Sequence, residues 1–210
     1  MLYILDLVGT AVFAVSGGFK AVKHELDILG LLVLSCMTGV GGGIIRDLIL
    51  GDTPPLAFRD EYYLIICLIM GILVFFLAPR IAKIWRLVKI MDAVGLGTFT
   101  YIGAVKGYHA GLGPVGVIFA GVMTSCGGGI IRDIMVTETP AVIKRDFYAT
   151  AAAAGSLLLY LGMKTPLGGL WVFPFLVIAL TTGLRITAIC TKMSLPRVKQ
   201  IPGFNGSGEE

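Results

Sequence analysis

The sequence GGGIIRD occupies residues 41–47 and returns, residue for residue, at residues 127–133. Shifting the chain against itself by that distance, 127 − 41 = 86 positions, pairs residues 6–62 with residues 92–148 without a gap. Of these 57 aligned positions, 22 carry the same residue in both copies. Self-similarity at a fixed period is the mark of an internal repeat, so the chain contains a duplicated unit.

The composition around the repeat is that of a membrane protein. Of the 210 residues, 56% are hydrophobic and 14% are charged, and the mean hydropathy is +0.89. A helix needs about 20 apolar residues to cross the hydrocarbon core, so the chain has room for about seven spans and no separate soluble domain. The sequence predicts an all-α integral membrane protein with seven transmembrane helices, near residues 2–21, 28–50, 62–78, 91–107, 114–136, 147–163 and 168–191.

Each copy of the repeat is expected to contain three spans, so the second copy enters the membrane from the opposite side. Such inverted repeats are typical of transport proteins, although duplication can also simply enlarge a helix bundle. The predicted organisation is a first repeat at 2–78, an inverted second repeat at 91–164, a seventh helix at 168–191 and a tail at 192–210. The last five residues of the tail, GSGEE at 206–210, are expected to be an appended remnant that carries no fold.

The positions of lysine and arginine predict the orientation of the helices, because basic loops remain in the cytoplasm. Basic residues concentrate in the loop between the third and fourth helices, in the tail and in two shorter loops (Arg80, Lys83, Arg86 and Lys89; Lys192, Arg197 and Lys199; Lys20 and Lys23; Lys144 and Arg145). This pattern predicts a multi-pass protein of the cell or inner membrane, with its N-terminus outside and its C-terminus in the cytoplasm. The first apolar run carries Asp6 and lacks a basic leader, so it is expected to be a helix and not a signal peptide. The net charge of +4 is attributed to this topology and not to nucleic-acid binding.

Two sets of three consecutive glycines, Gly41, Gly42 and Gly43 and then Gly127, Gly128 and Gly129, lie inside apolar runs. Glycine costs up to about 1 kcal/mol relative to alanine within a helix, so a consecutive run needs a compensating role. Close helix packing is one such role, but it is typically signalled by small residues four positions apart. A consecutive run favours a break or kink, which membranes tolerate where the backbone is buried or lines a wet cavity. We therefore predict pore-lining kinks at the two glycine triplets.

Six ionisable residues at membrane depth form two matching sets, Asp6, Arg46 and Asp47 in the first copy and Asp92, Arg132 and Asp133 in the second. Such groups cost about 2.5 to 3.5 kcal/mol each at a helix centre, so they are expected to pair or to face water. The predicted topology places the first set toward the outer face and the second toward the inner face. The sets either fasten helices together as ion pairs or border a transport pathway. Lys20 and Lys106, which also match each other, are possible ends of that pathway.

No residue pattern within the predicted spans indicates catalysis or a metal site. The four cysteines, Cys36, Cys67, Cys126 and Cys190, form no Cys-x-x-Cys pair, and His24 and His109 fall in separate short loops. The spans also lack a Ser/His, Cys/His or paired-carboxylate arrangement, so we expect neither an enzyme nor a bound cofactor or metal. A single arginine in the last span, Arg185, is expected to reach lipid headgroups near the inner surface.

The paired GGGIIRD segments, the 86-residue duplication and the seventh apolar run resemble the prokaryotic branch of the trimeric intracellular cation channel (TRIC) family. The resemblance covers residues 2–191. It implies a seven-helix protomer with its own pore, a homotrimer in the lipid bilayer, and permeation by potassium and other monovalent cations. It also implies that the glycine triplets are the helix kinks at the pore. Animal members bind an acidic phosphoinositide through basic residues on the fourth helix; here Lys89 lies just before that helix and Asp92 lies within it.

Related bacterial proteins of the same domain family are associated with glycine uptake, so the resemblance leaves a second function open. A channel needs weak binding sites along a continuous wet path. An alternating-access carrier needs one occluded site between repeats that move against each other. The sequence therefore predicts a potassium-permeable channel, with a secondary transporter of a small solute such as glycine as the alternative.

Overall fold

The computed structural model of the protein describes residues 2–81, 85–144 and 147–191, with side chains at all of these except 78–81, 85–88 and 144. All regular elements in these ranges are helical, which confirms the predicted all-α class. They are α1 (Leu2–Lys23), α2 (Ile28–Leu50), α3 (Leu56–Arg59), α4 (Tyr62–Ile81), α5 (Trp85–His109), α6 (Pro114–Met135), α7 (Ala141–Lys144), α8 (Ala149–Met163), a 3-10 turn (Pro166–Gly169) and α9 (Phe173–Thr191).

The ends of the long helices follow from local chemistry. Asp27 caps the start of α2, where its Oδ1 accepts the backbone N–H of Gly30 at 2.7 Å. Gly51 ends the same helix at a φ of 73°, a left-handed conformation that glycine adopts without strain. Pro114 begins α6, where its missing N–H leaves no hydrogen bond unmade.

The bundle exposes large apolar side chains and buries charged ones, the reverse of the distribution in a water-soluble protein. Large apolar side chains such as Phe76 and Trp171 are exposed, whereas Arg46 and Asp47 are buried. By length and composition α1, α2, α6 and α9 can each cross a membrane, and α4 and α8 contain shorter apolar segments. α5 is more polar, but it lies against α1, α6, α8 and α9 and is shielded by them. The chain is therefore a multi-pass helical membrane protein.

α1 and α5 pack together at the centre of the bundle, and their contacts repeat at the 86-residue offset. Gly9 lies against Phe99, and the matching Gly95 lies against Phe13. The two phenylalanine rings, themselves 86 positions apart, pack with their centroids 5.0 Å apart. Such an exchange of contacts between equivalent residues is what a twofold relation between the two copies requires.

α2 and α6 cross at the glycine triplets, and the crossing explains the middle glycine of each. A Cβ on Gly42 would collide with the carbonyl oxygen of Thr124, and a Cβ on Gly128 with that of Thr38. Both triplets lie within continuous α-helix, so neither helix ends at its triplet. Thr38 with Gly42, and Thr124 with Gly128, supply the four-residue spacing of small residues that close packing requires. A bend of either helix axis at its triplet stays a prediction.

Several residues on which the topology prediction rests lie outside the described residues or have no described side chain, namely Arg80, Lys83, Arg86, Lys144, Arg145, Lys192, Arg197 and Lys199. The predicted tail at 192–210 also lies outside the described residues. The membrane orientation of the two termini therefore stays a prediction.

Candidate functional site

The first cluster comprises Asp6, Arg46, Asp47 and Lys106, from α1, α2 and α5. Arg46 Nε donates to Asp47 Oδ1 at 2.8 Å, and Arg46 Nη2 lies 2.8 Å from the same oxygen. Lys106 Nζ lies 3.1 Å from the same oxygen. The second oxygen, Oδ2, accepts the backbone N–H of Leu56 at 3.0 Å. A carboxylate that is only 1% exposed thus receives a cation from each of two helices, which offsets the cost of burying its charge.

Asp6 lies beside this group but bonds to a different residue. Its Oδ2 accepts the hydroxyl of Tyr63, near the start of α4, at 3.0 Å. Arg46 Nη1 and Thr10 Oγ1 are both buried and have no hydrogen-bond partner within the described part of the chain. These four residues line one partly open cavity, with an empty volume of about 240 Å³ up to its mouth. Its enclosed part has room for roughly one water molecule.

The second cluster comprises Asp92, Arg132, Asp133 and Lys20, which the 86-residue offset matches to the first. Arg132 donates to Asp133 Oδ1 from Nε and to Asp92 Oδ1 from Nη1, at 3.0 Å each. The same Nη1 donates to Ser16 Oγ at 2.6 Å. Lys20 Nζ lies 3.2 Å from Asp133 Oδ1. In this cluster the arginine joins both aspartates, whereas Arg46 joins only one.

The two clusters lie at opposite ends of the bundle. Asp6 and Lys20 are 14 residues apart on α1, which corresponds to about 21 Å along the helix. Each lysine pairs with the aspartate of the other copy, Lys20 with Asp133 and Lys106 with Asp47. The structure therefore brings together the residues of each predicted set and adds one lysine to each. Which cluster faces which side of a membrane stays a prediction.

Glu138, in the segment after α6, extends the second cluster. It binds Lys20 at 2.8 Å, Lys23 at 2.9 Å and His24 Nε2 at 2.8 Å. The hydrogen bonds from Lys20 and Lys23 hold the pKa of the Glu138 carboxyl well below its ordinary value. This network ties the end of α1 to the segment that leaves α6.

Asp52 occupies the equivalent place at the first cluster. It binds Arg59 at 2.7 Å and lies 3.9 Å from Lys106. Its position plus 86 is that of Glu138, so the duplication pairs two acidic residues that differ in type. A search for similar residues at the 86-residue offset could have identified Asp52 and Glu138 from the sequence. A search for identical residues alone misses them.

The third glycine of each triplet has a different environment from the second. For a Cβ on Gly43 the nearest neighbour is the Arg46 Nη2 atom, at 3.6 Å. For a Cβ on Gly129 the neighbours are Tyr148 Oη at 3.4 Å and Arg132 Nη2 at 3.8 Å. These glycines leave room beside the two guanidinium groups, so the third glycine of each triplet serves the charged cluster and the glycines before it serve packing.

Arg185 does not reach lipid headgroups, and that prediction is wrong. The residue is 3% exposed, and its guanidinium lies 4.6 Å from the centroid of the Tyr148 ring. An aromatic face stabilises a desolvated cation, which accounts for a buried arginine in the last helix. Within the described ranges, no group of three His, Cys, Asp or Glu side chains could hold a metal ion.

Comparison with known families gives one match that covers most of the chain. The model of a family described as "Glycine transporter" matches residues 3–79 and 89–164, two ranges that overlap the predicted repeats at 2–78 and 91–164. The inner membrane protein YadS of Escherichia coli strain K12 is 38% identical to this chain over 201 residues, or 93% of this chain and 95% of YadS.

Two solved structures share the fold over nearly the whole chain. One is the TRIC trimeric intracellular cation channel orthologue from Rhodobacter sphaeroides, with 34% identity and a TM-score of 0.85 over 91% of this chain and 98% of that one. The other is a TRIC cation channel studied for its conductance, with 36% identity and a TM-score of 0.86 over 94% and 97% of the two chains.

Proposed function

The chain belongs to the family described as glycine transporter and is a prokaryotic member of the TRIC channel family, and from that premise we propose that it is a homotrimeric, potassium-permeable channel for monovalent cations, with one pore in each protomer. The observation that carries the proposal is the likeness to solved cation channels over more than nine-tenths of the chain, at 34% and 36% identity. Those neighbours are channels and not enzymes, which supports a non-catalytic role.

The buried charges support a pathway through the middle of each protomer. Ionisable side chains at membrane depth are costly unless they pair or reach water. The side chains of Lys20 and Lys106 are 12% and 22% exposed, while the aspartates that they bind are 3% and 1% exposed. We place the two mouths of the pathway at these lysines, with the crossing of α2 and α6 between them and a bend of each helix at its glycine triplet.

The exchange of equivalent contacts supports two inverted three-helix repeats. In this arrangement α1, α2 and α4 form the first repeat, α5, α6 and α8 form the second, and α9 is the seventh span. The axis that relates the repeats lies in the membrane plane, near the packed rings of Phe13 and Phe99. With the N-terminus outside and the C-terminus in the cytoplasm, the first cluster lies toward the outer face and the second toward the inner face.

A homotrimer within the lipid bilayer is the proposed assembly. One of the solved relatives is described as a trimeric channel, and the outward apolar side chains of α4 and α9, such as Phe76 and Phe175, suit contacts with lipid or with a neighbouring subunit. Cross-linking in bilayers should give trimers. A product distribution that ends at monomers and dimers contradicts this assembly.

Discrimination between potassium and sodium is expected to be modest. The chain contains no TVGYG segment of the kind whose carbonyl oxygens replace the hydration shell of potassium in highly selective channels. The pathway has instead a few paired charges at each end. No organic cofactor or resident metal is needed for this function, and the ligand is the permeant cation.

Purified protein in planar bilayers under a potassium gradient, alongside a radiolabelled glycine flux assay in liposomes, tests the proposal. Discrete unitary currents support the channel. Saturable glycine uptake without such currents supports the alternative, a secondary carrier that uses the repeats for alternating access, which the family description suggests.

A further inference from the structure

The first cluster contains an arginine atom that lacks a bond its counterpart makes. Asp6 accepts the hydroxyl of Tyr63, and Arg46 Nη1 is left without a hydrogen-bond partner among the described residues. All three residues line the same cavity. This N–H makes no hydrogen bond to the described residues, so it remains able to donate to Asp6 if that carboxylate moves.

The second cluster shows the complementary arrangement. Asp92 accepts from Arg132 Nη1 at 3.0 Å, and here it is the Tyr148 hydroxyl that is buried with no hydrogen-bond partner in the described chain. A Cβ placed on Gly129 would lie 3.4 Å from Tyr148 Oη and 3.8 Å from Arg132 Nη2, so the hydroxyl and the guanidinium flank one small space. Among the described residues, the donor without a partner in the first cluster is the arginine Nη1, whereas in the second cluster it is the tyrosine hydroxyl.

We propose that each aspartate exchanges between its tyrosine and its arginine, that Tyr63 and Tyr148 are the positioning residues of two gates, and that the gates take opposite positions. The proposal rests on the pathway proposed above. An Asp–Arg bond draws a central helix, α1 or α5, toward the helix that carries the glycine triplet. An Asp–Tyr bond holds the aspartate away from the arginine and leaves the cavity seen at the first cluster.

The copies differ at two of these positions. At the 86-residue offset Tyr148 matches Tyr62 and not Tyr63, and the second difference concerns Ser16. Ser16 Oγ accepts from Arg132 Nη1 at 2.6 Å and lies 3.4 Å from Asp92 Oδ1, so it strengthens the Asp–Arg arrangement of the second cluster. The residue 86 positions later is Ile102, whose side chain has no acceptor atom. Arg46 therefore lacks the partner that would help to orient it toward Asp6. In the first cluster the bond between Asp6 and Tyr63 is favoured instead.

The central helices connect the two gates. α1 carries Asp6 of the first cluster and Ser16 of the second, about 15 Å apart along the helix. A continuous helix moves as a rigid body, so a shift of α1 that brings Asp6 to Arg46 also moves Ser16 relative to Arg132. A change at one cluster is therefore expected to appear at the other.

The accessibility of residue 10 measures the first gate without any ion current, because Thr10 lines the cavity and is 1% exposed. The native cysteines are replaced by alanine, Thr10→Cys is introduced, and its rate of modification by a small cationic thiosulfonate is measured in liposomes. Tyr63→Phe releases Asp6 to Arg46, narrows the cavity and slows modification roughly fivefold, as expected for one hydrogen bond. Tyr148→Phe removes a hydroxyl that only the opposite position uses, so modification does not slow.

Tyr62→Phe is the matched control, because Tyr62 is adjacent in sequence but 63% exposed, and it leaves the rate at the parent value. Ser16→Ala weakens the Asp–Arg arrangement at the far end and slows modification of residue 10 through α1, which tests the exchange even if Tyr63→Phe folds poorly. Unchanged modification in both Tyr63→Phe and Ser16→Ala overturns the proposal, as does equal slowing in Tyr63→Phe and Tyr148→Phe.

The same variants separate this proposal from the proposed channel activity. If modification slows in a protein that takes up glycine without unitary currents, the result supports the exchange and contradicts the proposed channel activity. If unitary currents occur and the modification rate is unchanged, the result supports the channel activity and contradicts the exchange. If the channel activity and the exchange are both correct, the open probability in bilayers changes in Tyr63→Phe and remains at the parent value in Tyr62→Phe.

Discussion

Lys106 Nζ lies 3.1 Å from Asp47 Oδ1 and thereby joins the second copy of the repeat to the first. The matching pair joins the copies in the reverse direction, with Lys20 Nζ 3.2 Å from Asp133 Oδ1. Each lysine lies between a buried carboxylate and the solvent at one end of the bundle. The duplication has thus produced two ion pairs that neither copy could make alone.

Removal of either lysine charge is expected to raise the unitary potassium conductance. Lys106→Gln and Lys20→Gln each remove a positive charge from a proposed mouth, and the local potential alters the concentration of cations there. We expect an increase of roughly twofold in symmetric potassium chloride. Lys23→Gln is the control, because Lys23 is 48% exposed and its bond is to the half-buried Glu138. Parental conductance in both test variants contradicts mouths at these lysines.

Adjacent glycines of the first triplet are expected to respond in opposite ways to alanine. Gly42→Ala places a methyl group on the Thr124 carbonyl oxygen, so it should destabilise the protein by about 1 to 3 kcal/mol. Gly43→Ala meets no atom nearer than 3.6 Å and gains up to about 1 kcal/mol of helix propensity. Thermal unfolding of both variants in detergent measures the difference. Equal midpoints would contradict the close contact between Gly42 and the Thr124 carbonyl group.

The bonds to Glu138 predict a pH dependence with a definite sign. Its pKa is lowered in the folded protein, mainly by Lys20 and then by Lys23, so its contribution to stability is present above the unfolded pKa of about 4.3. That contribution is lost as the pH falls through the folded pKa. The side chain is 35% exposed, so solvent screening keeps the effect small.

The comparison of the parent with Glu138→Gln isolates this residue from the other carboxyl groups. The variant should unfold at a lower temperature than the parent at pH 7, and the two midpoints should converge as the pH is lowered below 4.3. Midpoints that differ by the same amount at every pH assign the effect of the substitution to shape instead of charge.

The sequence predicted the fold class and the membership of the two clusters because identical residues at a fixed offset are visible without coordinates. It did not predict the contact of Gly42 with the backbone of Thr124, since that residue belongs to another helix and no spacing within one helix shows the contact. It misplaced Arg185 for the same reason, because the ring of Tyr148 comes from a distant segment. Contacts between helices that are far apart in sequence decide both cases.

Unequal bonding within the two matching sets could not be predicted from their identical residues. Asp6 and Asp92 occupy the same position in the repeat, yet one binds Tyr63 and the other binds Arg132. The difference depends on neighbours that the copies do not share, such as Ser16. A duplication therefore predicts which residues meet, and the residues that have diverged decide which bonds they form.

Replacement of the two cluster arginines by glutamine is expected to have unequal effects on stability. Among the described residues, Arg132→Gln leaves Asp92 with only Ser16, at 3.4 Å, and loss of one partner from a buried ion pair costs up to about 3 to 5 kcal/mol. Arg46→Gln leaves Asp47 with Lys106 and leaves the bond of Asp6 to Tyr63 intact, so it should cost less by about 1 to 3 kcal/mol. The yield of folded trimer and its unfolding temperature measure this difference.

Currents recorded from the same two variants decide whether the clusters border the pathway. A charge that moves through the whole membrane field contributes about 2.3 kcal/mol per 100 mV, so even a small displacement of a cluster makes opening depend on voltage. If Arg46 and Arg132 border the pathway, each substitution changes the conductance or shifts the voltage dependence, and the two clusters differ because they lie at opposite ends. Expression and current must be measured together, since a merely unstable variant also carries less total current. If both substitutions lower the trimer yield while every surviving channel conducts and gates as the parent does, the clusters only fasten the helices together.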